Sequence, residues 1–296
     1  MTLPLDGILV ADFSRVLAGP LASATLADLG ARVIKVERPG RGDDTRSWGP
    51  PWTGNSASYF ESANRNKESI VLDLGESADN DLARELARRA DVVIENFLPG
   101  TLDRFGLGYD QVRESNPGVV YCSVTGFGSG GGAHLPGYDF LVQAVGGLMS
   151  ITGDPDESGG SPMKVGVALV DVLTSKDATT GILAALHARN RTGRGQRVEV
   201  NLLSSLLASL VNQASAYLTT GTAPGRMGNA HPSIAPYELL PCADGPLVIA
   251  CGNDGQFRTL AATLGNESLA DDDRFATNAA RVHHRPALRA ELGDLL

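Results

Sequence analysis

The 296-residue chain predicts a doubly wound, parallel α/β domain followed by a smaller region. Two observations carry this. Short apolar runs ending in polar residues recur along the first 125 residues, and segments of helical period alternate with them. GILVADFS (7–14) is the first buried strand, and GPLASATLADLGA (19–31) reads as a helix, with Leu21, Leu26 and Leu29 among small residues and Gly30 near its end. RVIKVE (32–37) and SIVLDL (69–74) are the second and third strands. ADNDLARELARRA (78–90) places Leu82 and Leu86 at helical spacing, and DVVIENF (91–97) and VVYCSVTG (119–126) are the fourth and fifth strands. Sheets of this kind bind ligands beyond their strand C-termini. Here those ends are Asp12 to Arg15, Glu37 and Arg38, Asp73 to Gly75, Glu95 to Phe97 and Thr125 to Gly128. The polar connection 39–66, with GRGDDTRSWGPPW, is long enough to expect a function for it.

Beyond residue 150, VDVLTSKDATTGILAALHARNRTGRG (170–195) reads as a long helix closed by a glycine-containing turn, and VEVNLLSSLLASLVNQASAYLTTG (198–221) as another. Residues 222–235, rich in turn formers, read as a linker. YELLPCADGPLVIACG (237–252) reads as a hairpin turning at Asp244-Gly245. The expected organisation is a large domain over 1–221, the linker over 222–235 and a partial small domain over 236–296.

Composition narrows the function. With 42% hydrophobic and 20% charged residues the chain is globular, and a net charge of −9 disfavours a generic nucleic-acid binder. Cys122, Cys242 and Cys251 are scattered without metal-ligand spacing, which favours a reducing cytoplasm and no metal. No basic, apolar leader opens the chain, and no apolar run reaches the roughly 18 residues of a membrane span, so a membrane partner is not expected.

GFGSGG (126–131) satisfies a dinucleotide-binding spacing but runs into Pro136 instead of a helix, so a nicotinamide oxidoreductase is a weak alternative. A flexible loop able to approach a ligand closely is the better reading. His283-His284 lacks accompanying ligands, and Ser14 and Ser123 lack a nucleophile elbow. The chemically pointed residue is Asp171, a lone carboxylate in KVGVALVDVLTS (164–175). Burying it without a partner is costly. It is a helix cap, half of a buried ion pair or a reactive group, and the first and last are compatible.

Several stretches, in order over nearly the whole chain, resemble the class III CoA-transferase family, which includes formyl-CoA transferase. They are PLDGILVADFSRVLAGP, GARVIKVERPGRGDDTR, NRNKESIVLDL, ADVVIENFLPGTLDRFGL, GYDFLVQAVGGLMSITGDPD, KVGVALVDVLTSKDATTGILAALHARNRTGRGQRVEVNLL and RMGNAHPSIAPYELL. The resemblance implies a Rossmann-like large domain with a smaller α+β domain, and an interlocked homodimer. The family's nucleophilic aspartate falls on Asp171. CoA contacts fall on Leu17, Ala18, Arg38, Leu72, Asp73, Leu74, Gly75, Asn96, Phe97, Leu98, Arg104, Gly137, Tyr138 and Asp139.

The implied chemistry is acyl substitution through an aspartyl anhydride and an aspartyl-CoA thioester, with acyl-CoA as donor, a carboxylic acid as acceptor, CoA as substrate and no tightly bound cofactor. An ordinary aspartate (pKa about 3.9) is ionised at neutral pH and needs no base. Related α-methylacyl-CoA racemases carry Gly-His-Asp, where this chain has Gly137-Tyr138-Asp139. Tyrosine is a poor base at neutral pH, which favours a transferase over a racemase. PMKVGVALVDVLT and RMGNAHPSIAPYELL look most like the branch using succinyl-CoA or another dicarboxylyl-CoA. Members of the family are usually longer and return to the large domain, whereas this chain stops at RAELGDLL within the expected small domain. A catalytically impaired CoA-binding fragment is therefore a further alternative.

Overall fold

The computed structural model describes residues 2–296. Six parallel strands form the central sheet: β1 (Leu9–Asp12), β2 (Arg32–Glu37), β3 (Lys67–Val71), β4 (Val92–Glu95), β5 (Val120–Thr125) and β6 (Arg197–Asn201), in the order β3-β2-β1-β4-β5-β6. The chain winds outward from β1 through β2 to β3, then returns to the other side of β1 with β4. The topological switch point lies between β1 and β4, so the C-terminal ends of these two strands open a crevice.

The helices are α1 (Ala18–Asp28), α2 (Ser58–Asn64), α3 (Ser77–Arg89), α4 (Tyr109–Ser115), α5 (Asp139–Val145), α6 (Leu169–Thr192), α7 (Leu202–Ser209), α8 (Val211–Thr220), α9 (Asp254–Thr263), α10 (Asn278–His283) and α11 (Arg285–Leu295). Alternation along the strands sends successive residues to opposite layers. Val10, Val92, Ile94, Val120 and Cys122 pack with Leu26 of α1 and Ala178, Ile182 and Leu186 of α6. Ala11, Val93 and Tyr121 face Ala83 and Ala87 of α3 and Val112 of α4. Small residues let α6 approach the sheet closely: a Cβ at Gly181 would lie 2.7 Å from Val198.

The sixth strand corrects the sequence reading, which placed 198–221 in one helix. Val198, Glu199 and Val200 alternate with period two and pair with β5, with Cys122 opposite Val198 and Val124 opposite Val200. The helix starts only at Leu202, where Asn201 caps it through Ser204 N–H, and it breaks at Val211. The third strand also begins earlier than its apolar stretch suggests, because Lys67 and Glu68 pair with Val33 and Ile34 of β2.

Two compact units are present. The first holds the sheet and includes Lys164–Gly221. The second combines Met149–Met163 with Thr222–Leu296. In it the antiparallel strands β7 (Tyr237–Cys242) and β8 (Gly245–Ala250), joined through Ala243-Asp244, share a core with α9 and α11. Residues 222–235, read from sequence as a linker, contribute to this unit: Ala235 is fully buried in the core, and Arg281, also buried, donates to its carbonyl. Among the described residues no helix is long and apolar enough to cross a membrane.

A buried charge network lies under the switch point. Asp12 Oδ2 and Lys67 Nζ are 3.0 Å apart, and Lys67 also donates to the Pro20 carbonyl and Asn64 Oδ1. Burial pushes the Asp12 carboxyl up, but Lys67, Lys35 and the Ser14 and Ser23 hydroxyls together outweigh it and hold it at about 2. A depressed carboxylate contributes stability that is present above its unfolded value near 4 and lost as pH falls through about 2. Replacing Lys67 with Met strands the Asp12 charge and should cost about 3–5 kcal/mol in urea unfolding at pH 7. The loss should shrink as pH falls toward 2, because the stranded carboxylate then takes up a proton.

Candidate active site

A cleft of about 340 Å³ opens at the switch point. Leu17 and Ala18 at the start of α1 form one edge, Asn96, Phe97 and Leu98 after β4 a second, and Gly137, Tyr138 and Asp139 a third, with Asp171 beside them. Nine of the residues expected at the site therefore meet. The others do not wall this cleft. Arg38 is exposed, paired with Asp44 and bonded to the Gly42 carbonyl, and it borders a separate small hollow that shares Arg15 and Phe97 with the cleft. Leu72 is buried under the sheet, and Asp73, Leu74 and Gly75 form the turn after β3, where Asp73 accepts from Gly75 N–H. Arg104 stands exposed on a short turn, Leu102–Phe105.

Asp171 is the third residue of α6 and is 9% exposed. It is not the helix cap. The cap is Asp139, whose Oδ2 accepts from Val170 N–H at 2.7 Å and Asp171 N–H at 3.2 Å. A carboxylate at a helix N-terminus satisfies free amides and opposes the positive end of the dipole. Asp139 is in turn held by the buried Gln143, which donates Nε2–H to Asp139 Oδ1 at 2.6 Å and accepts Val165 N–H at 2.9 Å. Asp139, expected as a CoA contact, thus also fixes the start of the helix that carries Asp171.

This arrangement revises the expected ionisation. Burial, and then the Asp139 charge, push the Asp171 carboxyl up to about 7, so it is not fully ionised at neutral pH in the free protein. Across the site, burial and the charges of Asp171, Asp139 and Asp43 raise the Tyr59 phenol to about 12, leaving it a neutral hydrogen-bond donor. Tyr59 packs edge-on against Trp48. Both come from the long polar connection 39–66, whose length was the sequence signal for them.

Gly137, expected as a CoA contact, packs against Gly126. A Cβ on Gly126 would lie 2.4 Å from Gly137 Cα, so the loop after β5 and the segment entering α5 touch backbone to backbone. Side chains at either position would push the cleft edge apart.

Sequence reasoning missed the support beneath the α1 edge. Val16, a β-branched residue, has φ +71°, which costs on the order of 1–3 kcal/mol. Its N–H is held by Asp43, which is paired with Lys35 at 2.9 Å; both side chains are 1% exposed. The signal lay in GRGDDTR, but nothing local told that Asp43 turns inward.

The fold and cleft define a doubly wound α/β protein with a buried carboxylate facing a ligand crevice. The model of CoA-transferase family III matches residues 5–296, and the chain belongs to that family of enzymes. It is 51% identical to the succinate–glutarate CoA-transferase of Agrobacterium fabrum, covering 97% of this chain and 72% of that protein. It is 46% identical to the succinyl-CoA:glutarate CoA-transferase of Mus musculus, covering 96% and 65%. The crystal structure of a CAIB/BAIF family protein from Brucella suis superposes with a TM-score of 0.86 at 49% identity, over 99% of this chain and 78% of that one.

An acid whose folded value is raised favours folding fully below its unfolded value, and the contribution is lost as pH rises through the folded one. Asp171→Asn should therefore be neutral below about pH 4 and progressively stabilising from there to about 7. Above that the gain should level off at roughly 2–4 kcal/mol in chemical denaturation.

Proposed function

We propose that this CoA-transferase moves CoA from a dicarboxylyl-CoA, succinyl-CoA foremost, to a carboxylic acid through covalent intermediates on Asp171. The observation that carries the reading is the buried Asp171 carboxyl at a cleft lined by Leu17, Ala18, Asn96, Phe97, Leu98, Gly137 and Tyr138. The donor class rests on the likeness to relatives named for succinyl-CoA and glutarate.

In this reading Asp171 binds no metal and acts as a nucleophile. Its carboxylate attacks the thioester carbonyl, the C–S bond breaks, and CoA leaves as thiolate from a mixed anhydride. The thiolate attacks the aspartyl carbonyl and expels the donor acid, leaving an aspartyl-CoA thioester. The acceptor carboxylate displaces the thiolate to form a second anhydride. Thiolate attack on the acceptor's acyl carbon then gives the new acyl-CoA and regenerates Asp171. Burial serves the anhydrides by keeping water away. It also sets a condition: the proton held at neutral pH must leave before the first attack.

Tyr138 in place of the racemase histidine supports transfer over racemisation. A homodimer belongs to the same proposal. Exposed Phe140 and Val145 on α5, and Val211 and Leu218 on α8, are apolar surface suited to a second copy.

Incubation with succinyl-CoA and hydroxylamine should place a hydroxamate on Asp171, detected by peptide mass. Asp171→Ala should lose transfer while retaining CoA binding. Full transfer by that variant would refute the nucleophile assignment. Single-turnover acylation should rise with pH and level off above about 7. Asp139→Asn, which keeps an acceptor for the cap but removes a charge, should move that midpoint toward acid.

A further inference from the structure

We propose that Asp43, set by the buried Lys35, is a positioning residue for CoA: it clamps Val16 in its left-handed conformation and thereby fixes the Leu17–Ala18 edge of the cleft. This rests on the reading of the cleft as the CoA site.

The backbone just before that edge is held by side chains from three other segments. Lys35 Nζ, from β2, donates to the Ser14 carbonyl at 2.8 Å. Asn96, after β4, accepts Arg15 N–H at 2.9 Å and donates to the Arg15 carbonyl at 2.6 Å. Asp43, from the connection after β2, accepts Val16 N–H at 3.2 and 3.3 Å through its two oxygens. Asp43 is itself fixed by Thr45 N–H, the Thr45 hydroxyl and Lys35.

A β-branched residue at φ +71° persists only where its surroundings over-determine it. Here they do, and the strained residue itself walls the cleft together with the two that follow it. α1 begins at Ala18 with no side-chain cap, so the clamp also sets where its first amides lie. Neither Asp43 nor Lys35 walls the Asp171 cleft; both lie beneath the adjoining hollow beside Arg38, with side chains 1% exposed, so their effect on a ligand in the cleft passes through the loop.

A purely structural ion pair would lower stability when broken, without a specific link to Val16. The two roles separate by rescue. CoA affinity is measured by calorimetry, and kcat and KM with succinyl-CoA, for the whole chain and for Asp43→Asn, Val16→Gly, their combination, and Leu98→Trp as a cleft control. Asp43→Asn should raise the CoA Kd and the KM about tenfold or more, with kcat changed less than about threefold. Glycine adopts the left-handed backbone without strain, so Val16→Gly in the Asp43→Asn background should bring affinity back to within about threefold of Val16→Gly alone. Should Asp43→Asn fail to fold, Lys35→Met/Asp43→Asn removes both charges, leaves none stranded, and is read for the same rescue.

Independent, multiplying effects of the two substitutions on Kd, or loss of melting temperature with unchanged CoA affinity, would overturn the clamp. Leu98→Trp distinguishes the underlying reading. If it weakens CoA binding and rescue is absent, the clamp alone fails; if it leaves CoA binding unchanged, the cleft is not the CoA site and both fail.

Discussion

The site depends on a pair of charges out of contact with solvent. Lys35 and Asp43 meet at 2.9 Å below the switch point, and Asp12 and Lys67 form a second pair beside them. Taking such charges out of water is expensive, and each pair holds only because every oxygen and ammonium has further partners. Those partners include three backbone groups of the loop between β1 and α1: the Ser14 N–H and carbonyl and the Val16 N–H. A hydrophobic replacement of similar volume would fill the same space without telling that loop where to go. The charged arrangement reads the loop's donors and acceptors one by one, and so supports a conformation that Val16 would not adopt alone.

On the opposite wall the logic is the same, with a different product. Asp139 places its carboxylate on the first amides of α6, and the adjacent Asp171 is left buried within reach of that charge. Asp139 supplies the cap and also adds to the upward shift of the Asp171 carboxyl, which burial drives first. This is a typical conflict between stability and chemistry: the group best held out of water is the one whose charged form is least comfortable there. The Gly126–Gly137 contact brings the third wall close without a side chain between.

The family and the geometry bear on different questions. Membership in CoA-transferase family III fixes the class of reaction. The arrangement around Asp171 concerns how the transfer proceeds. The cleft brings nine expected residues together, but Arg38, Leu72 to Gly75 and Arg104 lie outside its walls. A bound nucleotide longer than this cleft would have to run across β1 and β2 to meet Arg38 and the turn after β3.

The sequence by itself determined the layered sheet, because short apolar runs alternate with segments of helical period along its first 125 residues. It also marked Asp171, because a lone carboxylate among valines is chemically conspicuous. It failed at β6, where three alternating residues run directly into a helix and only pairing with β5 distinguishes them. It left Asp171 open as a cap and held no sign that Asp139 caps α6, since Asp139 lies 31 residues from the Val170 amide it binds. The acidity of Asp171 and the strain at Val16 were decided only by tertiary structure. Burial, and then the charge of Asp139 from 32 residues away, shifts the Asp171 carboxyl, and Asp43, 27 residues along the chain, holds Val16; burial and proximity are not properties of any local stretch.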